Sequence, residues 1–476
     1  MIRSRRSRAG LTGLLALTLI LSACGGGTTT PTVGPTGAVV SPGASTATGW
    51  SRDFAGTSLS VIGEATLNSA VLQGLLSDFT DKTGITVELE QAPYDSVVQK
   101  VTLDAQTKQG TYDVVSLPYE FLGAFAEKQW ISPIDSHLSG GSFAPGFDPT
   151  TIIPALWKAS SVWRDQTYGA PSNSAVMMMF YRKDLFSNAD EQAAFKTKYG
   201  YDLVVPTTWK AYRDAAEFFT RKAGDTLAGQ TLADDFAGVA MTGKRHVATV
   251  LEWMDYGWTF GGGILDDAGQ LVIDSPKSVQ ALDYMLGLRG FAQLGYTSAT
   301  WDETTATLQQ GKAALSITWG DTAGAMEAAD QSAVVGKMGY ASIPTLNAGD
   351  TPIAHLGSWT YVIPSDSTKQ DAAWLFMQWA LSEPVQQALA TGGGLPALTT
   401  NFEDPALIAS LPYWSQELKS LAESKSRPRT PEWGAMSDIL QEQISNAISG
   451  QATSSDALGQ AATKLKAILT LPVAYQ

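Results

Sequence analysis

Apolar and amphipathic segments alternate near the start of the globular part of this chain, and this order constrains the fold more than any other feature. The pattern predicts strand, helix, strand, helix and strand at 59–63, 68–80, 85–89, 94–107 and 112–116. Such an order implies a parallel sheet covered by helices, which belongs to the α/β class. Ligands bind these sheets at the carboxyl ends of the strands. We therefore expect a binding cleft near Glu64 and near Tyr119 and Glu120.

Later segments continue in the same style. Further strands are predicted at 175–181, 239–242, 314–319 and 359–363. Further helices are predicted at 208–221, 275–288 and 369–381, and the chain from about 436 to 471 has a helical pattern throughout. A body of roughly 430 residues is long enough for at least two domains, each with its own core.

The first 24 residues have the anatomy of a secretory leader. Four arginines precede an apolar run at 11–21, and the small residues Ser22 and Ala23 precede Cys24. The run is too short to span about 30 Å of hydrocarbon. Cys24 is similar to the lipidated cysteine of bacterial lipoproteins; the alternative is a cleaved signal with an incidental cysteine. We predict a signal peptide at 1–23, lipidation of Cys24, a flexible tether at 24–56 and an extracytoplasmic, membrane-anchored protein.

Charge and cysteine content exclude several classes of protein. The net charge is −14, and removal of the leader with its four arginines makes it −18. Such a body repels nucleic acid and polyphosphate ligands, so we expect no nucleic-acid partner. One lipidated cysteine allows no disulfide within the chain and no thiol catalysis. The three histidines, at 137, 246 and 355, form no pair with metal-ligand spacing, so we expect neither a metal nor a cofactor.

Signals for an enzyme are weak. The chain lacks the H-E-x-x-H, G-x-S-x-G, P-loop and EF-hand motifs. Paired carboxylates could serve a glycosidase, but Asp234-Asp235 and Asp266-Asp267 are more typical of solvated turns. His355 precedes a Gly-Ser-Trp segment, and its neighbourhood leaves both a ligand contact and an ordinary loop histidine open.

Tryptophans beside small and polar residues are the positive signal. A sugar site needs flat aromatic surfaces together with carboxylates or amides. Trp319-Gly320-Asp321 follows a predicted strand, Gly357-Ser358-Trp359 precedes another, and Trp253, Asp255, Tyr256 and Trp258 precede three glycines. Trp374 and Trp379 have helical spacing with apolar neighbours, which predicts a place in the core.

Several short motifs occur in an order that is similar to one known family: Tyr168-Gly169-Ala170-Pro171, Phe180-Tyr181-Arg182-Lys183-Asp184-Leu185-Phe186, Pro206-Thr207-Thr208-Trp209, Phe260-Gly261-Gly262, Asp274-Ser275-Pro276, Gly311-Lys312-Ala313-Ala314 and Gly393-Gly394-Leu395-Pro396. This order, over about 57–471, resembles the extracellular solute-binding proteins of ABC sugar importers, the maltose-binding-like group.

The resemblance implies a two-lobed periplasmic-binding-protein fold of type II that closes on ligand like a hinged clamp. It implies a first lobe at 57–118 plus 360–405 and a second lobe at 122–355 plus 410–476. The chain would cross between the lobes near 117–121, near 357–358 and near 403–407.

The resemblance and the aromatic pattern together give twelve candidate ligand-binding residues. They are Glu64, Tyr119, Glu120, Ser172, Asn173, Trp258, Trp319, Asp321, Gly357, Ser358, Trp359 and Trp433. The segments 64–68 and 172–174 differ from those of maltodextrin binders, and 112–116 and 253–266 are more similar to polyol and monosaccharide binders of the group.

We therefore predict a lipid-anchored receptor without catalytic residues. It would bind a neutral sugar or polyol as a monomer and deliver it to the permease subunits of an ABC importer. Two alternatives stay open from the residues: a surface carbohydrate-active enzyme, and a binding protein for a non-sugar solute such as a peptide, a phosphate ester or a metal.

Overall fold

The computed structural model describes residues 49–140, 143–145 and 147–473. The predicted signal peptide, Cys24 and most of the predicted tether lie outside these residues. Within the described part, the body begins before residue 57. The backbone N–H of Ser51 donates to the carbonyl of Phe143, and the Phe54 ring packs edge-on against the Phe143 ring. Trp50 also packs against the core, so the predicted tether boundary at 56 is about seven residues too late.

The strands of the described residues are, in chain order, β1 Ser58–Glu64, β2 Thr86–Ala92, β3 Val114–Pro118, β4 Val162–Trp163, β5 Gln166–Thr167, β6 Gly169–Pro171, β7 Ala175–Arg182, β8 Thr226–Leu227, β9 Gln230–Thr231, β10 Ala237–Ala240, β11 Ala313–Trp319, β12 Met338–Ala341, β13 Ala354–Gly357, β14 Trp359–Val362 and β15 Ser424–Ser426.

The α-helices of the same residues are α1 Leu67–Thr83, α2 Tyr94–Thr107, α3 Leu122–Glu127, α4 Asp135–Ser139, α5 Pro154–Ser160, α6 Lys183–Phe186, α7 Ala189–Tyr199, α8 Trp209–Phe219, α9 Val247–Thr259, α10 Pro276–Gly287, α11 Trp301–Gln309, α12 Ala323–Met326, α13 Gln370–Ala380, α14 Glu383–Thr391, α15 Thr399–Phe402, α16 Pro405–Ser410, α17 Trp414–Ala422, α18 Trp433–Ile448 and α19 Ser454–Ile468. No helix in the described part of the chain is long and apolar enough to cross a membrane.

Local sequence explains where the first helix begins and ends. The Thr66 hydroxyl accepts a hydrogen bond from the backbone N–H of Ser69, which caps the start of α1. Gly84 ends the helix with φ 77°, a conformation that glycine adopts without steric cost. Leu72, Leu76 and Phe79 are buried on one face, so α1 covers the sheet as its spacing predicts.

The first sheet has five strands in the order β2-β1-β3-β14-β6. Strands β1, β2 and β3 run parallel, as the β-α-β-α-β pattern predicts. Strand β14 is antiparallel to both of its neighbours, β3 and β6. The carboxyl ends of β1 and β3 therefore meet at one edge, which places Glu64 and Glu120 on the same side of the sheet.

The second sheet contains β10, β11, β7, β13 and β15 in that order, and β12 pairs with β7. Strand β7 lies at its centre and is buried along most of its length, as expected for a continuous apolar run. The two C-terminal helices, α18 and α19, pack against α9 and α10 of this half of the molecule. Trp374 and Trp379 are fully buried in α13, in agreement with their predicted place in the core.

The chain first passes between the sheets later than the sequence predicts. Strand β6 pairs with β14 in the first sheet, so the passage falls in the segment 172–174, immediately before β7. The segment after β3 stays with the first sheet because Leu122 and Phe125 of α3 are buried in one cluster with Ile62 and Val115. The predicted crossing at 117–121 thus disagrees with the strand pairing. The return passage is at Ser358, between β13 and β14.

Candidate ligand-binding cleft

A cleft with a volume of about 200 Å³ lies between the two sheets. The ends of β1, β3 and β11 contribute Glu64, Glu120 and Asp321, and the starts of α2 and α11 contribute Tyr94 and Trp301. The cleft therefore lies where an α/β fold presents the carboxyl ends of its strands. Side chains from both sheets face the same space.

Aromatic rings form much of the wall. The Tyr94 ring contacts the rings of Trp301 and Trp359 edge-on, each with centroids 5.6 Å apart. Trp319 also lines the cleft, and its ring packs edge-on against the imidazole of His355 at 5.4 Å. Since Trp319 and Trp359 come from different sheets, a bound ligand can touch an aromatic ring of each.

Most of the charged groups that line the cleft are carboxylates. Glu64, Glu120, Asp302 and Asp321 line the cleft, and Arg427 is the one basic residue among the described residues that line it. Burial, and then the charges of Asp321, Asp302 and Glu120, raise the pKa of Glu64 well above its usual range, although a hydrogen bond from Trp359 opposes this. Burial raises the pKa of Asp321 to about 6.

A buried ion pair joins the two sheets at the base of the cleft. Arg427 Nη1 donates to Glu120 Oε1 at 2.5 Å, and the Tyr94 hydroxyl donates to the same oxygen at 2.7 Å. The Tyr119 hydroxyl accepts from the backbone N–H of Arg427 at 2.9 Å and donates to the Leu356 carbonyl at 3.1 Å. Glu120 follows β3 and Arg427 follows β15, so the pair ties the first sheet to the second.

His355 holds the guanidinium from behind. Arg427 Nε donates to His355 Nε2 at 3.1 Å, which requires that this nitrogen carries no proton. Burial, and then the charge of Arg427, lower the pKa of His355 well below its usual range. Burial by itself would lower the pKa of Arg427. The charge of Glu120 and two neighbouring tyrosines outweigh this effect, so the pKa of Arg427 is raised. The pair is therefore a neutral imidazole beside a permanent cation.

Two further side chains from the two sheets meet at the rim. His246 Nε2 lies 3.2 Å from Asp95 Oδ2, and the backbone N–H of Ala248 donates to His246 Nδ1 at 3.1 Å. The hydrogen bond from His246 lowers the pKa of Asp95, although burial opposes it. Asp95 is on α2, which covers the first sheet, and His246 caps α9 beside the second sheet. The rim contact therefore joins the two halves beside Trp301, whose ring packs on His246 and lines the cleft.

Seven of the twelve predicted residues line the cleft, namely Glu64, Glu120, Trp319, Asp321, Gly357, Ser358 and Trp359. Ser172 and Asn173 instead line a separate cavity of about 30 Å³ behind Trp359. Asn173 Oδ1 accepts from the Trp359 backbone N–H at 2.9 Å, and the Ser172 hydroxyl donates to the Trp359 carbonyl at 3.0 Å. These two residues hold the Trp359 backbone in place.

Three predicted residues lie behind the cleft wall. Tyr119 is fully buried and bonds the backbone at the base. Trp258 is inside α9, where its ring packs on His355, and Trp433 is buried with its ring 5.7 Å from the Arg427 guanidinium. The aromatic residues before the three glycines thus belong to a buried helix. His355 is neither a ligand contact of the cleft nor a loop residue, because it lies buried in β13.

Four aromatic or charged residues of the cleft are outside the predicted set: Tyr94, Trp301, Asp302 and Arg427. Tyr94 begins α2 just after β2, so the rule that found Glu64 also applies to it. Trp301 and Asp302 start α11 as an aromatic residue beside an acid, a signal like that of Trp319 and Asp321. Arg427 has no local signal. The described residues include no cluster of three or more His, Cys, Asp or Glu placed to hold a metal ion.

The chain belongs to the family of bacterial extracellular solute-binding proteins, whose profile matches residues 63–387. A probable ABC transporter-binding protein of Deinococcus radiodurans is 25% identical over 389 residues, which cover 81% of this chain and 86% of that protein. The mannitol-binding protein of Pseudomonas aeruginosa is 24% identical over 388 residues, which cover 76% of this chain and 81% of that protein. Relatives and fold are those of ABC transporter binding proteins, so this chain is a binding protein and not an enzyme.

Solved structures confirm the fold. An ABC transporter solute-binding protein from Agrobacterium radiobacter K84, in complex with ribitol, superposes with a TM-score of 0.77 at 25% identity. The match covers 87% of this chain and 99% of that protein. The fold is the type II periplasmic-binding-protein fold that the motif order predicts.

Proposed function

We propose that this protein captures a small sugar or polyol in the cleft and delivers it to an ABC importer. The observation that carries the proposal is the cleft itself, in which aromatic rings from two sheets line the same space together with carboxylates. The rings pack on the C–H faces of a polyhydroxylated ligand, and the carboxylates accept hydrogen bonds from its hydroxyls.

The volume of the cleft favours a small ligand. One water-sized group needs about 10–15 Å³ of such volume, so about 200 Å³ accommodates roughly a dozen groups of that size. A monosaccharide or a four- to six-carbon polyol fits this limit, and an oligosaccharide does not unless the lobes open. The names of relatives support a polyol, since one binds mannitol and another, from Mycolicibacterium smegmatis, binds erythritol or L-threitol.

Two lobes would enclose the ligand. We assign 49–171 and 359–398 to the first lobe, and 175–357 and 414–473 to the second, because each group of segments contains the strands of one sheet. A ligand that touches both lobes only in the closed form stabilises that form, so binding shifts the population toward closure. The permease would recognise the closed surface.

Cys24 would tether the receptor to the membrane. The proposal rests on the leader at 1–23 and on the position of the chain's one cysteine at its end. The anchored protein would be extracytoplasmic and monomeric. Mass spectrometry of the protein from its membrane fraction tests the anchor, because a diacylglyceryl group on Cys24 adds a defined mass that Cys24→Ala removes.

Thermal-shift screening of the full-length protein against sugars and polyols tests the function. A ligand that binds only the folded state adds about 2.7 kcal/mol of stability at a hundredfold excess over Kd. We expect a shift with one narrow class of small polyhydroxylated compounds, confirmed by calorimetry. Tight binding of a peptide, phosphate ester or metal, with no shift from any sugar or polyol, would refute the proposal.

A further inference from the structure

The charges that line the cleft do not balance. Arg427 neutralises Glu120 at the base, and at the rim Lys244 and His246 oppose the charge of Asp302. Glu64 and Asp321 have no such partner, since no other basic residue of the described part of the chain lines the cleft. No cation of the described lining therefore balances the charge that these two carboxyls carry when they are ionised.

Glu64 and Asp321 approach the ligand from opposite sides. Glu64 ends β1 of the first sheet, and Asp321 lies in the turn after β11 of the second. Asp321 contributes to the raised pKa of Glu64, so the two carboxyls lie close enough for their charges to interact. Like charges in a space shielded from water repel strongly, and closure without ligand works against this repulsion.

Aromatic rings and a third carboxyl of the lining also favour a cation. Tyr94, Trp319 and Trp359 surround the same space with rings, and aromatic faces attract ammonium groups. Glu120 is 1% exposed yet lines the cleft, and both hydrogen bonds it receives from the described residues end on Oε1. Glu120 therefore adds a third carboxyl to the same lining.

We propose that the ligand is a polyhydroxylated compound that carries a protonated amine, held between Glu64 and Asp321. This inference rests on the proposed function and narrows it to an amino sugar or amino polyol. Hydroxyl groups alone donate hydrogen bonds to the two carboxyls but leave their charges uncompensated. An ammonium group donates up to three hydrogen bonds and also supplies the opposite charge.

Calorimetry with matched pairs of compounds tests this directly. The pairs are sorbitol and 1-amino-1-deoxysorbitol, glucose and glucosamine, and galactose and galactosamine, each measured at pH 7 with the full-length protein. We expect the amine of at least one pair to bind at least tenfold more tightly than its neutral partner. The difference should shrink severalfold between 20 mM and 500 mM salt, since salt screens charge interactions.

Two variants locate the charge. Asp321→Asn and Glu64→Gln should each remove most of the preference for the amine while binding of the neutral partner changes less. Asp330→Asn, at an exposed position away from the cleft, should leave the preference unchanged. Circular dichroism of each variant confirms that it is folded, and two independent variants guard against the loss of one.

The outcomes separate the two proposals. Equal or tighter binding of the neutral partner in every pair refutes the amine and leaves the proposed function standing. A preference for the amine that survives both variants refutes the assignment to Glu64 and Asp321. Failure of every sugar, polyol and amine to bind refutes the proposed function, and the inference fails with it.

Discussion

Two side-chain contacts between the halves of the described chain, the Arg427–Glu120 ion pair and the His246–Asp95 hydrogen bond, differ sharply in environment. At the base of the cleft the side chains of Arg427 and Glu120 are 5% and 1% exposed, whereas at the rim those of His246 and Asp95 are 11% and 59% exposed. Removing water from a charge is costly, so the base pair can exist only with all of its partners in place. At the rim, the exposed carboxylate of Asp95 keeps most of its hydration, so its contact with His246 can separate at little cost.

This difference suggests that the two contacts have different roles when the lobes close. His355, Tyr119 and Tyr94 hold the base pair from three sides, so it acts as a fixed pivot for the two lobes. At the rim, Asp95 is largely exposed, whereas His246 is mostly buried, accepts the capping bond from the Ala248 N–H and packs its ring edge-on against Trp301. We infer that opening of the cleft breaks the rim contact and keeps the base contact. The predictions below test this difference, beginning with the largest expected effect.

Arg427→Met should destabilise the protein by about 3–5 kcal/mol, because it leaves Glu120 buried and unpaired. Urea unfolding at pH 7 measures the loss. The double variant Glu120→Gln with Arg427→Met removes the charge that the single variant leaves behind, and it should recover a large part of the stability. A cost below about 1 kcal/mol for the single variant would show that Glu120 is solvated, and the base would then resemble the rim.

Asp321 lies in the cleft and has no cation beside it. Its replacement should therefore stabilise the protein, whereas replacement of Arg427 destabilises it. The folded pKa of Asp321, about 6, is higher than the value of about 3.9 in an unfolded chain. The folded state therefore binds the proton more tightly, and stability falls as pH rises from about 4 to about 6. The expected loss in the absence of ligand is about 2 kcal/mol or less.

The variant Asp321→Asn removes this titration. Urea unfolding of the ligand-free protein at pH 4.5 and pH 7 should give a smaller difference for the variant than for the wild type, with the variant more stable at pH 7. Other carboxyls titrate in both proteins, so the comparison between them isolates Asp321. An identical pH dependence would place Asp321 in contact with bulk water.

Tyr94 is linked to both the base pair and the rim contact. Its hydroxyl donates to Glu120, and its ring packs on Trp301, which in turn packs on His246. Tyr94→Phe removes only the first contact, and a hydrogen bond to a charged group contributes about 1.5–3 kcal/mol. We expect a loss of roughly this size in the free energy of unfolding. Tyr168→Phe is the control, because its hydroxyl bonds Gln166 at an exposed site. Equal losses of unfolding free energy in Tyr94→Phe and Tyr168→Phe would mean that the hydrogen bond from Tyr94 to Glu120 contributes no specific stability.

The sequence predicts the Glu120–Arg427 pair at the base of the cleft only in part. Local periodicity is sufficient for β1, α1, β2 and α2, and the rule for strand ends places Glu64 and Glu120 at the cleft. Arg427 carries no such signal. It lies more than 300 residues after its partner Glu120, and the short strand before it is defined only by pairing with β13. Contacts of this kind depend on tertiary packing, which no local pattern encodes.

The predicted site residues that lie behind the cleft wall have a related explanation. Trp258 and Trp433 stand beside polar or small residues, as ligand platforms do, but both are buried in helices. A single sequence cannot tell which face of a helix points into a cleft, because the apolar pattern of α9 extends around the whole helix. The first crossing was placed too early for a similar reason. Strand β6 has three residues, too few for a periodic signal.

Asp95→Asn should have the smallest effect, and its value lies in a matched control. The pair His137–Asp371 has similar exposure, 14% and 59%, but lies wholly beside the first sheet. Asp95→Asn and Asp371→Asn should each change the free energy of unfolding by about 0–1 kcal/mol. Only Asp95→Asn should also raise Kd, by up to about fivefold, because only the rim pair forms on closure.

The rim contact should also depend on pH. The hydrogen bond from His246 lowers the pKa of Asp95, so the stability that this bond contributes is present above the unfolded pKa of Asp95 and is lost as pH falls through its folded pKa. Calorimetry at pH 7 and in 20 and 500 mM salt measures the effect, and an equal rise in Kd for both variants would contradict a rim that opens.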